Sequence, residues 1–164
     1  MVTLTDAERL HAAFDTHHVR YLFIGTSAAT LLGYAVTPDD LDVFVDSSPE
    51  NTSATLAALG GLGFVLDPLR ASQILEGKRI VLMHDGPFPL DVTFRPQGIE
   101  SFACAWQRHV NVSGMPVCHP DDILASKIAA NRTKDRAAVP GLRAFRDAWI
   151  GAGIAEDDRR TSSS

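Results

Sequence analysis

The stretch from Asp40 to Asp46 constrains the fold of this chain more than any other segment. It reads Asp-Leu-Asp-Val-Phe-Val-Asp, so acidic and apolar residues alternate over its first half. A period of two is typical of a β-strand, in which alternate side chains leave opposite faces. The pattern therefore predicts a strand with Asp40 and Asp42 on one face. Two like charges on one face repel each other, so strand stability alone does not explain the pair.

Apolar periodicity and turn residues divide the rest of the chain into helices and strands. Strands are predicted at 20–24, 40–46, 64–66, 79–83, 90–94, 109–112 and 116–118. Helices are predicted at 5–17, 28–32, 49–60, 99–106, 120–128 and 133–150, the last one kinked or split at Pro140–Gly141. A turn at 84–87 should join two strands as a hairpin. This order predicts an α/β (α+β) domain with a small mixed sheet, flanking helices and a short helical C-terminal part.

The length of 164 residues predicts a single domain. Its expected range is 1–155, with a core at 1–118 and the helical end at 119–155. Residues 156–164 are charged and then Ser-rich, and we expect a disordered tail there.

Composition excludes several classes of protein. The net charge of −5 argues against a large, sequence-independent grip on nucleic acid, although a local basic patch is compatible with it. Cys104 and Cys118 lie outside any C-x-x-C motif, which indicates ordinary buried thiols in a reducing compartment. With no basic and apolar leader and no run of eighteen apolar residues, we expect a cytoplasmic protein with no membrane association.

A third carboxylate, Asp91, interrupts the apolar strand Leu90–Phe94. If that strand neighbours the Asp40 strand, three carboxylates converge. Mg²⁺ prefers oxygen ligands and keeps waters for substrate phosphates. Three carboxylates can hold two Mg²⁺ ions, with Mn²⁺ as the alternative, for in-line phosphoryl displacement. The competing interpretation is that Asp40 or Asp42 simply caps a turn after Pro38.

Gly25, Thr26 and Ser27 directly follow a buried strand and precede a helix. Glycine permits close approach of a ligand, and hydroxyls and N–H groups there can meet phosphate oxygens. The Gly-Lys-Ser/Thr ending of a P-loop is absent. Turns of this kind are common, so the segment indicates a phosphate-binding site only in combination with the carboxylates.

Together these residues resemble the signature of the DNA polymerase beta-like nucleotidyltransferase superfamily. The matching features are apolar-Gly25-Thr26-Ser27, thirteen residues between Thr26 and Asp40, then Asp40-Leu-Asp42-Val, and a third carboxylate in Leu-Asp91-Val. Further along, Pro120–Lys127 and Asn131–Asp135 are similar to the Lys-helix and Arg-x-Lys-Asp motifs of small abortive-infection (AbiEii-like) toxins. The resemblance covers roughly residues 21–139.

The resemblance implies a nucleotidyltransferase fold and the transfer of a nucleoside monophosphate from an NTP to an acceptor hydroxyl. It implies metal binding by the three carboxylates, phosphate contacts by Gly25-Thr26-Ser27, and nucleotide contacts by Lys127 and Asp135. Asp135 has a second interpretation, that it orients Lys127. Two departures, Val36 where relatives carry Arg and Ala138 where they carry Asp, favour an alternative in which the chain is a catalytically weak nucleotide-binding or interaction module.

Basic residues concentrate after the core and bear on the acceptor. They are Lys127, Arg132, Lys134 and Arg136. Together with the toxin resemblance, they favour RNA as the acceptor, namely the end of a tRNA. They also favour an antitoxin protein as the partner. The alternative is an antibiotic acceptor, an aminoglycoside or a lincosamide, for which Asp39, Asp40, Asp46 and Asp67 could form an acidic cleft. No role is assigned to the scattered histidines, among them His84. The sequence specifies neither the base of the NTP nor the oligomeric state.

Overall fold

The computed structural model describes residues 1–77 and 80–162, with 154–162 described as backbone only. The elements, in chain order, are α1 (Leu4–Thr16), β1 (Tyr21–Ile24), α2 (Gly25–Leu31), β2 (Leu41–Val45), α3 (Pro49–Leu62), α4 (Pro68–Leu75), β3 (Ile80–Met83), β4 (Leu90–Thr93), α5 (Phe102–Arg108), β5 (Val110–Val112), β6 (Met115–Val117), α6 (Pro120–Ala130) and α7 (Thr133–Ser162). The predicted α/β class is confirmed.

Within the described residues six strands form one mixed sheet in the order β3-β4-β2-β1-β6-β5. The pairs β1–β2, β3–β4 and β5–β6 are antiparallel, whereas β1–β6 and β2–β4 are parallel. The central strand β1, Tyr-Leu-Phe-Ile, is buried at all four positions, as expected of a strand covered on both faces. Because β6 runs parallel to β1, the helices that follow them, α6 and α2, start at the same end of the sheet.

The core lies between the sheet and the helices that pack on it, and aromatic contacts join α1 to β1. Phe14 of α1 packs edge-to-face on Tyr21 of β1 with ring centroids 4.8 Å apart. The ring centroid of Phe23 lies 5.4 Å from that of Tyr21. α1 begins with a capping box in which Thr3 and Asp6 satisfy each other's backbone groups. This core fixes β1 and β2, and with them the segments that carry Gly25 and Asp42.

Three sequence-based expectations about local structure were wrong. Residues 64–66 form a loop and not a strand, because Phe64 packs on Phe88 while its backbone pairs with no neighbouring strand in the described part of the chain. Helix α4 was not predicted, although Asp67 caps it and Pro68 occupies its first turn. The described helix α7 continues through Pro140, so the split is wrong, whereas the alternative of a kink there stays a prediction.

Two further expectations fall partly outside the described residues. The first is the start of the strand predicted at 79–83, because Arg79 is not among the described residues. The predicted disordered tail, 156–164, falls on the end of α7 and on residues 163 and 164, and it stays an untested prediction, as do the domain boundaries. Among the described helices, none is long and apolar enough to span a membrane.

Candidate active site

The three predicted carboxylates lie at one end of the sheet, on two adjacent strands. In the parallel pairing of β2 with β4, Asp42 is the direct register partner of Asp91. Partners in register share a face, and Asp40 shares it too because it precedes Asp42 by two residues. The expected convergence of the β2 and β4 carboxylates therefore follows from the sheet topology, which puts these two distant segments side by side.

Gly25 sits directly against Asp42. The end of β1 pairs with the start of β2, with Ile24 opposite Asp42, and Gly25 follows with a φ of +70°. A Cβ at Gly25 would lie 2.5 Å from Asp42 Oδ2, a distance that no ordinary side chain tolerates. Glycine is needed here both for its left-handed backbone and for the space that the carboxylate occupies.

Ser27 supports the strand and does not face the cleft. Its side chain is buried, its hydroxyl donates to the Ile24 carbonyl at 3.1 Å, and it accepts the backbone N–H of Asp42 at 3.1 Å. With both functions of the hydroxyl used internally, the phosphate contact expected of Ser27 is not offered by this arrangement. Thr26 is partly exposed.

His84 joins the carboxylates from the edge strand. Its Nε2 lies 2.6 Å from Asp91 Oδ1 and 4.0 Å from Asp40 Oδ2. One atom from each of these three residues fits within a span of 4.8 Å, the spacing of a possible metal-ligand group. Sequence reasoning assigned His84 no role. The sequence feature that could have identified it is its position at the end of a predicted hairpin strand, where a residue lies diagonally across from Asp91 on the same face.

The electrostatics of the cluster show excess negative charge. Burial, followed by the charges of Asp40 and Asp91, raises the pKa of Asp42 to about 8. Burial and the charge of Asp91 likewise raise the pKa of Asp40 above its ordinary value, against the opposing charges of Lys134 and His84. A raised carboxyl pKa means that the charged form lacks sufficient compensation from the protein itself.

Lys127 and Arg132 approach the same cleft from α6 and the loop after it. Lys127 Nζ donates to Asp135 Oδ1 at 3.3 Å, and Arg132 Nε donates to Asp135 Oδ2 at 2.6 Å. Asp135 is completely buried. Burial alone would raise the pKa of Asp135, but the Arg132 hydrogen bond and the charge of Lys127 bring it below its ordinary value. Asp135 therefore orients two cations, and its buried carboxylate is not placed to touch a nucleotide directly.

Several of these residues line one cleft of about 360 Å³. Its carboxylates are Asp42 and Asp91, its cations are Arg95, Lys127 and Arg132, and Gly25 and Ile80 form part of its wall. A cleft lined by opposite charges suits a ligand that carries both anionic groups and metal ions.

Two of the acidic residues that could serve an antibiotic cleft lie elsewhere. Asp46 is at the opposite end of β2 and pairs with Arg20 at 3.4 Å. Asp67 caps α4 by accepting the Arg70 N–H at 2.8 Å. Only Asp39 and Asp40 of the four named residues remain beside the carboxylate cluster.

Comparison with known proteins supports a fold and no more than a fold. No protein-family model matches this chain, and no curated protein matches it by sequence. Two solved structures of the aminoglycoside nucleotidyltransferase ANT(2'')-Ia share its fold. One is a crystal structure in complex with adenylyl-2''-tobramycin, with 16% identity, a TM-score of 0.54 and coverage of 90% of this chain and 97% of that one.

The other is a solution structure of ANT(2'')-Ia, described there as an antibiotic-resistance factor. It has 17% identity, a TM-score of 0.54 and coverage of 96% of both chains. Neither likeness confirms the abortive-infection toxin subtype. The described residues, a six-stranded mixed sheet with flanking helices, share the nucleotidyltransferase fold of these two structures.

Proposed function

We propose that this protein is a metal-dependent nucleotidyltransferase that moves a nucleoside monophosphate from an NTP to a hydroxyl of a small acceptor. The observation that carries the proposal is the convergence of Asp40, Asp42 and Asp91 at one end of the sheet, where Asp42 and Asp91 line one cleft with Lys127. The likeness to a nucleotidyltransferase over nearly the whole of both chains supports it.

The residues present fit divalent cations. In the described part of the chain, no cationic side chain forms an ion pair with Asp42, and its raised pKa reports the uncompensated charge. Carboxylate oxygens are the donors that Mg²⁺ selects. Asp40, Asp42 and Asp91 would hold the ions, which supply positive charge to the triphosphate and to the attacking oxygen.

The side chains then have separate tasks in the transfer. The acceptor oxygen attacks the α-phosphorus and forms a P–O bond, while the bond from that phosphorus to the bridging oxygen breaks and pyrophosphate leaves with the electron pair. A carboxylate oxygen of Asp91 takes the proton of the attacking hydroxyl. Lys127 Nζ, held by Asp135, neutralises charge that develops on the phosphates.

Gly25 and Thr26 complete the phosphate side of the cleft. Gly25 lines the cleft beside Asp42, and backbone N–H groups at this turn can meet a phosphate oxygen. The partly exposed Thr26 supplies a hydroxyl that can donate to a phosphate oxygen. We assign Asp135 and Ser27 to positioning, the first of Lys127 and the second of the Asp42 backbone.

The acceptor that we favour is an aminoglycoside-type molecule with hydroxyl and ammonium groups. Both solved neighbours are an antibiotic nucleotidyltransferase. The basic segment that favoured RNA is largely used within the protein, since Lys127 and Arg132 share the Asp135 carboxylate and Arg136 donates to the Asn131 carbonyl at 2.6 Å. Asp39 and Asp40 would attract a cationic acceptor. The tRNA-directed toxin with an antitoxin partner becomes the competing outcome.

An acceptor screen tests this proposal. The protein is incubated with each NTP labelled at the α-phosphate, with Mg²⁺ or Mn²⁺, and with either an aminoglycoside and lincosamide panel or total tRNA. We expect labelled antibiotic and pyrophosphate with the wild type and neither product with Asp42→Asn. Labelled tRNA without labelled antibiotic would favour the toxin. No transfer to any acceptor, with unimpaired NTP binding, would favour the catalytically weak module that Val36 and Ala138 suggested.

A further inference from the structure

His84 is built into the carboxylate cluster by the hairpin that also carries Asp91. In the β3–β4 register Met83 faces Leu90 and Leu82 faces Asp91, so His84, one residue past β3, is diagonal to Asp91 on the same face. The hairpin thus fixes the imidazole at the exposed rim of the cluster, where its side chain is 50% exposed. At this position its Nε2 faces a carboxylate oxygen of Asp91 and one of Asp40.

The distances around His84 are close to those between ligands of one ion. Ligands about 2.1 Å from an octahedral metal are about 3.0 Å apart when adjacent and about 4.2 Å apart when opposite. The Nε2 of His84 is 2.6 Å from Asp91 Oδ1 and 4.0 Å from Asp40 Oδ2. An opening of a few tenths of an ångström between His84 and Asp91 therefore converts a hydrogen bond into two coordination bonds to one ion.

We propose that His84 is a direct nitrogen ligand of a divalent metal ion, with Asp40 and Asp91 as its oxygen ligands, and that this makes the site selective for a first-row transition metal over Mg²⁺. The inference rests on the metal site of the proposed function and adds a ligand that the carboxylate triad does not contain. Imidazole nitrogen binds transition-metal ions well, whereas Mg²⁺ prefers oxygen and gains little from it.

A paramagnetic ion tests the coordination without any assay of activity. Mn²⁺ is added to the full-length protein, and pulsed electron paramagnetic resonance measures ¹⁴N coupling to the ion. We expect the coupling of one imidazole nitrogen in the wild type, its change on ¹⁵N-histidine labelling, and its loss in His84→Gln. His119→Gln is the matched control, because His119 also faces an aspartate, Asp121, at 3.5 Å but lies outside the cluster.

Binding constants give a second readout. We expect His84→Gln to weaken Mn²⁺ binding by about tenfold and Mg²⁺ binding by less than about twofold, with His119→Gln changing neither. Mn²⁺ binding without imidazole coupling in the wild type would overturn the role of His84 and leave the carboxylate site standing. A wild-type protein that binds neither ion would overturn both this inference and the metal-dependent function.

Discussion

Asp42 lines the cleft and Asp135 lies behind the Lys127 and Arg132 side chains that line it, and the two aspartates have opposite electrostatic surroundings. Asp42 faces two further carboxylates, and its pKa is raised to about 8 by burial and by those charges. Asp135 is completely buried, but Arg132 and Lys127 donate to both of its oxygens, and its pKa is lowered. The same residue type is thus compensated within the protein at one position and left uncompensated at the other.

The difference shows which part of the cleft needs something from outside. A buried charge is stable only when it is paired and hydrogen-bonded. The Asp135 cluster meets this condition with its own side chains and so acts as a scaffold for Lys127. The Asp42 cluster does not, and a divalent cation would complete it. The predictions below test this contrast, beginning with the largest expected effect.

Neutralising Asp42 should abolish activity without destabilising the protein. We expect Asp42→Asn to reduce nucleotidyl transfer at least about a thousandfold, equivalent to about 4 kcal/mol, because the metal site loses a ligand. The midpoint of thermal unfolding without metal near neutral pH should rise by about 3–6 °C, since folding no longer has to protonate Asp42 or hold its charge beside Asp40 and Asp91. Asp46→Asn, at the other end of the same strand, is the matched control and should change activity little. Substantial activity in Asp42→Asn would refute the metal assignment.

Neutralising Asp135 should have the opposite effect on stability. We expect Asp135→Asn to lower the free energy of unfolding by about 2–3 kcal/mol, because Lys127 and Arg132 lose a buried partner; the exposure of Arg132 keeps the loss below that of a fully buried pair. Chemical denaturation measures this directly. Asp121→Asn, which removes an exposed aspartate from α6, should cost less than about 0.5 kcal/mol. Equal losses in the two variants would contradict the scaffold role of Asp135.

Gly25→Ala should displace the Asp42 carboxylate by a steric clash while leaving the charges of the site unchanged. The new Cβ would meet Asp42 Oδ2 at 2.5 Å, and the backbone φ of +70° adds strain. We expect a loss of about 1–2 kcal/mol in stability together with a large fall in transfer activity. Gly33→Ala separates the two causes, because Gly33 has a φ of +107° but open space around it. It should lose stability and keep its activity, and similar activity losses in both variants would count against the close packing argument.

The two aspartates should also give opposite pH dependences in the metal-free protein. At Asp42 the folded pKa is above the unfolded value, so its contribution to stability is present below about pH 4 and is lost as the pH rises towards about 8. At Asp135 the folded pKa is below the unfolded value, so its contribution is present above about pH 4 and is lost as the pH falls further. Denaturant unfolding of wild type, Asp42→Asn and Asp135→Asn between pH 3 and 8 gives the free energy of unfolding of each at every pH. If the contributions of Asp42 and Asp135 changed with pH in the same direction, the proposed difference between their surroundings would be refuted.

The sequence predicted those parts of the site that depend on local patterns. The alternation at 40–46 placed Asp40 and Asp42 on one face, and the lone charge in an apolar strand identified Asp91 as a candidate. Lys127 was identified by the similarity of Pro120–Lys127 to a Lys-helix motif. For each of these residues the local pattern carried the chemical information, and the resemblance to a nucleotidyltransferase signature supplied the fold.

The remaining features depend on contacts between segments that are far apart in sequence. Ser27 looked like a phosphate ligand, but the structure uses its hydroxyl to hold the Asp42 backbone. Asp135 looked like a nucleotide contact until its burial and its two cationic partners were known. His84 acquires a role only through the hairpin register, which brings it to Asp91. No local pattern encodes these three pairings.

Thermal unfolding with and without divalent metal tests the central claim that the Asp42 cluster requires a cation from outside. At an ion concentration about a hundredfold above the dissociation constant, binding stabilises a folded protein by about 2.7 kcal/mol, which corresponds to about 5–10 °C for a domain of this size. We predict this rise for the wild type with Mg²⁺ or Mn²⁺ and for Asp46→Asn, and no rise for Asp42→Asn, whose metal-free midpoint is already higher. An equal rise in Asp42→Asn, or none in the wild type, would contradict the account.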